Sequence, residues 1–161
     1  MKQLILIRHA KSSWDAPLQD LDRPLSNKGI QDAHLVSSNI VNQIPKSFIV
    51  WSSFAKRAAE TAMIFSQNIS FPFESVVVKE ELYTFDDKKL EKIIKSCSND
   101  YDNLILFGHN EAITNFVNKF GSIFINNVST CGFVNITFEQ NSWENIEKGT
   151  TKKVIFPRDL K

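Results

Sequence analysis

Leu4-Ile5-Leu6-Ile7-Arg8-His9-Ala10-Lys11 decides how this chain is read: four consecutive aliphatic residues run straight into an arginine and a histidine. Such a run is expected as a β-strand buried on both faces, with its polar chemistry at the C-terminal edge. The pattern returns at Leu104-Ile105-Leu106-Phe107-Gly108-His109-Asn110. In open α/β sheets, ligands gather beyond the carboxyl ends of the strands. Two buried strands that each end in a histidine therefore point to one site assembled from two distant segments.

Outward from these runs, strand-like and helical patterns alternate. Strands are expected at residues 3–8, 47–52, 75–79, 103–108 and 132–138. Residues 26–44 read as a helix with Ile30, Ala33, Ile40, Val41 and Ile44 broadly on one face. Ser26 is its expected cap, and Gly29 in the first turn is a weak point for a helix. Further helices are expected at 54–67 (Ala58, Ala62 and Phe65 inward), 87–98 (Leu90, Ile93 and Ile94 inward) and 110–120 (Ile113, Phe116 and Val117 together). Alternation of this kind predicts an α/β fold, a three-layer α/β/α sandwich around a mostly parallel sheet. Residues 14–24 form a polar loop placed to wall a pocket at the first strand's end. With 161 residues and no repeat or linker, one domain spanning 1–161 is expected.

A formal charge of +1 gives no global field to recruit nucleic acid or an anionic membrane. No stretch reaches the roughly 18 apolar residues of a membrane helix. The chain enters its first strand without a leader-like segment, so a cytoplasmic protein is expected. Cys97 and Cys131 form no CxxC pair and read as reduced thiols.

An arginine beside a histidine makes a poor metal site, because a fixed cation repels a bound one, but its planar fork matches two oxygens of an oxyanion. Arg57 falls near the start of the second helix, where free N–H groups and the helix dipole favour an anion. Taken alone, Lys56 and Arg57 would read as ordinary solvated cations. His34 lies among charged and small polar neighbours and receives no role. A metal-dependent hydrolase built on His9 and His109 lacks a third ligand at a sensible spacing.

Four ordered motifs carry a resemblance over nearly the whole chain: Arg8-His9-Ala10-Lys11-Ser12; Asp22-Arg23-Pro24-Leu25-Ser26-Asn27-Lys28-Gly29; Ser53-Phe54-Ala55-Lys56-Arg57-Ala58 with Thr61-Ala62; and Gly108-His109-Asn110. Together they resemble the histidine phosphatase superfamily, which includes the cofactor-dependent phosphoglycerate mutases. The short length, the tail motif Val128-Ser129-Thr130-Cys131-Gly132, Trp143 and Pro157-Arg158-Asp159-Leu160 resemble the SixA-type phosphohistidine phosphatases in particular. Phe54 stands where the family often has proline, and Ser129-Thr130 replaces its common Pro-Thr.

The resemblance implies a phosphoglycerate mutase-like fold and a metal-independent, cofactor-free phosphatase. His9 would be the nucleophile that accepts the phosphoryl group. Arg8, Arg57 and His109 would be the catalytic and phosphate-binding groups, with His109 most useful if protonated. Glu80 and Glu81 occupy roughly the region where mutase relatives place a general acid, although two exposed loop carboxylates are the plainer reading. A phosphohistidine substrate would need little acid, since imidazole leaves readily near neutral pH. The expected partner is then a phosphorylated protein such as a histidine phosphotransfer domain, bound by a monomer. Two alternatives stand beside it: a small-phosphoester phosphatase or mutase of the same superfamily, and a catalytically silent phosphoprotein-binding module. Mutases generally carry capping insertions for which this chain has little room. The loop 14–24 and the tail after Gly149 are the expected selectors of substrate.

Overall fold

The structure is a computed structural model describing all 161 residues. Six strands form one sheet: β1 (Lys2–Arg8), β2 (Ile49–Ser53), β3 (Val77–Lys79), β4 (Asn103–Gly108), β5 (Phe133–Phe138) and β6 (Thr150–Ile155). Their spatial order is β3-β2-β4-β1-β5-β6. The β3–β2, β2–β4 and β4–β1 pairings are parallel, while β5 and β6 add antiparallel to that block.

Both faces of the sheet are covered, and β1 shows how. Leu4 and Leu6 join one core cluster, Ile5 and Ile7 the other, because successive side chains point to opposite faces. β4 repeats the division with Leu104 and Leu106 against Ile105 and Phe107. The first cluster also holds side chains of α3 (Asp87–Lys95) and α4 (Ala112–Phe120), and the second those of α1 (Asn27–Asn39) and α2 (Lys56–Asn68). This is the expected three-layer α/β/α sandwich.

Several expectations need correction. The first helix stops at Asn39, and Val41 lies in a separate 3-10 turn, Val41–Gln43, where it is exposed. Ile30 is exposed as well, since Gly29, Ala33 and Val36 take the inward face. The second helix begins two residues later than expected, and the strand before it runs one residue further, to Ser53.

Gly29 is no weak point. A Cβ there would stand 2.0 Å from the Lys11 carbonyl oxygen, so only glycine lets the helix start approach the segment after β1. Ser26 caps α1 by accepting the Gly29 N–H at 3.0 Å, and its hydroxyl donates to Lys11 O at 3.1 Å. The strand β6 was not expected from the sequence. It places Thr150–Ile155, half of the segment after Gly149, in the sheet as its edge strand. No helix is long and apolar enough to cross a membrane.

Candidate active site

β1 and β4 lie side by side in register, Arg8 opposite Gly108, and the His9 N–H donates to Gly108 O at 3.0 Å. The chain leaves β1 for α1 on one face and β4 for α4 on the other. Such a divergence opens a crevice at the strand ends. It brings the two histidines together, with ring centroids 5.2 Å apart.

His9 is held by its backbone neighbours. Its Nδ1 lies 2.7 Å from the Ala10 carbonyl oxygen. A carbonyl only accepts, so Nδ1 carries the proton and Nε2 keeps its lone pair. Arg57 Nε points at that Nε2 from 3.4 Å. Burial first, then the Arg57, Arg8 and Arg23 charges, push the His9 pKa down to about 4 against the pull of the Ala10 bond. The ring is therefore neutral at neutral pH, with Nδ1–H bonded to Ala10 O and a lone pair on Nε2.

The second position of α2 places Arg57 beside His9, and Thr61 one turn on ties the helix to β1. Thr61 Oγ1 accepts the Ala10 N–H at 3.0 Å and donates to the Arg57 carbonyl at 2.7 Å. Arg8 donates through Nη1 to Val128 O at 2.8 Å, while its buried Nε has no partner in the protein. His109 sits behind, Nε2 2.8 Å from Ser53 Oγ and Nδ1 buried and unpartnered. Tyr83 and Phe85 cover it edge-on, at 5.3 and 5.6 Å.

Burial, then the proximity of His9 and of the Arg57 and Arg8 charges, lowers the His109 pKa to about 3, so the ring is neutral in the resting protein. Glu80 and Glu81 are exposed on the 3-10 turn Glu80–Leu82, and Glu81 lines a cavity of about 580 Å³ beside the site. His34 is exposed on α1 and meets Asn68 of α2. Cys97 and Cys131 are buried free thiols, and burial pushes both upward in pKa, Cys97 to about 11.

A carboxylate that sequence reasoning passed over sits against the arginines instead. Asp20, in the loop 14–24, accepts from Arg57 Nη2 at 2.9 Å and from the Tyr83 hydroxyl, and its backbone carbonyl accepts Arg57 Nη1 at 2.6 Å. Its other oxygen takes Arg23 Nε and Nη2 at 3.2 and 3.0 Å. Burial alone would raise its pKa, but the bonds from Tyr83, Arg57 and Arg23 outweigh it and hold the carboxyl down at about 2. The signal for Asp20 was its place in the pocket-walling loop. The chain gathers no group of three or more His, Cys, Asp or Glu that could hold a metal ion.

The family model described as histidine phosphatase superfamily (branch 1) matches residues 4–102, well over half of the chain. This chain belongs to the histidine phosphatase superfamily. The matched span of this superfamily member contains Arg8, His9 and Arg57; His109 lies beyond it and is joined to them by the sheet. An uncharacterised chloroplastic protein of Arabidopsis thaliana is 30% identical over 154 residues, covering 89% of this chain and 69% of its own. The protein histidine phosphatase SixA, solved in complex with tungstate, superposes with a TM-score of 0.79 at 21% identity, covering 99% of both chains. The SixA protein of Nakamurella multipartitia gives a TM-score of 0.81 at 19% identity, over 97% of this chain and 96% of its own. At these identities the structures establish the shared phosphoglycerate mutase-like fold of this superfamily member.

Proposed function

We propose that this chain is a phosphatase that hydrolyses phosphohistidine on a protein through a covalent phosphohistidine intermediate on His9. The observation that carries the reading is the fixed tautomer of His9: Nδ1–H is committed to Ala10 O, and the Nε2 lone pair stands against Arg57 Nε at 3.4 Å. Nε2 attacks the phosphorus of a phosphohistidine whose free ring nitrogen already carries a proton, the bond from phosphorus to that imidazole breaks in line, and the substrate leaves as neutral imidazole with the electron pair of the broken bond. Water then attacks the phosphorylated His9, returning neutral imidazole and inorganic phosphate. Arg8, Arg57 and the N–H groups opening α2 face the charge on the equatorial oxygens. These groups supply the positive charge, so the proposed reaction draws on no metal or cofactor.

The choice of phosphohistidine over a phosphoester rests on the carboxylates. Ester cleavage expels an alkoxide and profits greatly from a protonated acid. Glu80 and Glu81 lie exposed to solvent, and Asp20 is held ionised by Tyr83, Arg57 and Arg23. A leaving imidazole asks for much less.

A protein partner fits the surroundings. Phe85 is 53% exposed although it touches His109, and Trp14 is 76% exposed while stacking over Arg23 at 3.4 Å. Exposed aromatic anchors around a polar site are what protein recognition uses. The fitting partner is a histidine-phosphorylated domain docking on a monomer.

Phosphate release from a phosphohistidine protein and from para-nitrophenyl phosphate, run in parallel with EDTA present, tests the reading. Preference for phosphohistidine, abolished in a folded His9→Ala variant, is expected. Equal or better turnover of the ester would move the protein to the small-phosphoester phosphatases. Turnover surviving in His9→Ala would remove His9 as nucleophile.

A further inference from the structure

We propose that the Ser53 hydroxyl sets the tautomer of His109, donating its proton to Nε2 so that Nδ1–H is left to meet an oxygen of the transferred phosphoryl group. The inference rests on the phosphotransfer reading above and adds a positioning residue to it.

Hydrogen-bond accounting around Ser53 decides the direction. Ser53 ends β2 and is fully buried. Its Oγ has two neighbours: the Ala55 N–H, which donates to it at 3.2 Å, and His109 Nε2 at 2.8 Å. A serine hydroxyl offers one proton and two lone pairs. If His109 Nε2 carried hydrogen and donated to Ser53, both lone pairs would be taken by donors. The hydroxyl proton would then have no acceptor in a buried place. His109 Nδ1 would present a bare lone pair as well, in a ring that is only 2% exposed. That arrangement leaves two buried polar groups unpaired, and it would set a lone pair against any phosphoryl oxygen placed there.

The opposite assignment removes the conflict. Ser53 accepts from Ala55 N–H and donates to Nε2, which satisfies the hydroxyl completely. Only Nδ1–H then lacks a partner in the protein, and a donor is what an oxyanion needs. Buried polar groups are overwhelmingly paired, so the remaining orphan marks where the ligand binds. Arg8 Nε is the other buried orphan donor, and it too lies at this site.

The consequence is chemical. His109 lends a directed N–H while remaining neutral, so it need not be charged among Arg8, Arg57 and His9. The transferring group carries its charge spread over the equatorial oxygens, where this N–H is aimed, and no proton has to change hands. The burial and neighbouring cations that keep His109 neutral act in the same sense.

The direct test is a long-range proton–nitrogen NMR correlation on the full chain labelled with 15N-histidine, at pH 7. The expected pattern for His109 is a protonated Nδ1 and a pyridine-type Nε2. Nε2 protonated, or both nitrogens protonated, overturns the proposal. In Ser53→Ala the ring is expected to shift toward the Nε2–H form. Its kcat on the better substrate is expected to fall roughly tenfold to a hundredfold, the scale of a lost hydrogen bond to a charged group. KM is expected to change much less, and Ser53→Thr, which keeps the hydroxyl, should restore most of the rate. An unchanged kcat in Ser53→Ala overturns the proposal. Wild-type protein with Nδ1–H but no turnover of any phosphoryl substrate would sink the phosphatase reading and leave the tautomer standing; turnover with Nε2–H would do the reverse.

Discussion

Arg57 reaches toward His9 with Nε, 3.4 Å from the histidine's Nε2, while both of its Nη atoms are engaged by Asp20. The guanidinium is thus gripped from the loop side and aimed at His9 Nε2, and in the proposed reaction this is the preorganisation that transition-state stabilisation requires. Replacing Arg57 by alanine is expected to cost on the order of 3 kcal/mol in kcat/KM, a hundredfold or more. Arg8→Ala should behave alike through its unpaired Nε. Steady-state kinetics measure both, and a loss under tenfold in either variant removes that arginine from the phosphate clamp.

The acid side of the pH–rate profile should be unusually low. Burial and three arginines hold His9 at about 4 against an ordinary 6.5. The neutral ring, with its Nε2 lone pair free of a proton, therefore persists well below neutrality. Once corrected for substrate ionisation, kcat/KM is expected to stay flat from pH 7 to about pH 5 and to fall only below that. A limb centred near pH 6.5 would mean that the free His9 titrates as though exposed to water.

Much of this was legible in the sequence because it lies in local runs. The apolar stretches of β1 and β4 announce buried strands, and the histidines that end them fall at the same sheet edge. What escaped depends on distance or on weak patterning. β6 carries Lys152 and Lys153 at a sheet edge, where lysine guards against further pairing and blurs the apolar signal. Asp20 and Tyr83 meet across 63 residues of sequence, and Ser53 meets His109 across 56. No periodicity reports such contacts. The depressed pKa of His109 is hidden from the sequence for a related reason: its burial beside His9 and two arginines is a property of the assembled site.

Gly29 shows how a local rule can mislead, and it yields a stability prediction. Glycine in a first helical turn reads as a defect, yet here a methyl group would collide with the Lys11 carbonyl, a backbone atom with little freedom to yield. Gly29→Ala is expected to destabilise the fold by about 1–3 kcal/mol, the range for forcing extra volume into a packed site. Lys11 follows the His9–Ala10 segment directly, so activity should fall along with the melting temperature. Chemical denaturation gives the first number; a neutral or stabilising result would show that α1 moves away freely.

Asp20 provides a stability test whose sign is set by its pKa. The folded carboxyl sits at about 2, below its ordinary 3.8, because Tyr83, Arg57 and Arg23 hold the ionised form. The unfolded chain therefore takes up this proton first as pH falls. The contribution of the carboxylate is fully present above pH 3.8 and disappears as pH drops through 2. Wild type is expected to be more stable than Asp20→Asn at pH 6, by a modest margin because the side chain is 43% exposed and screened by solvent. The two should converge between pH 4 and pH 2 in denaturant titrations. A difference that stays constant across that range would show that Asp20 stabilises the loop by shape instead of charge, and that Arg57 is oriented by the Asp20 backbone carbonyl alone.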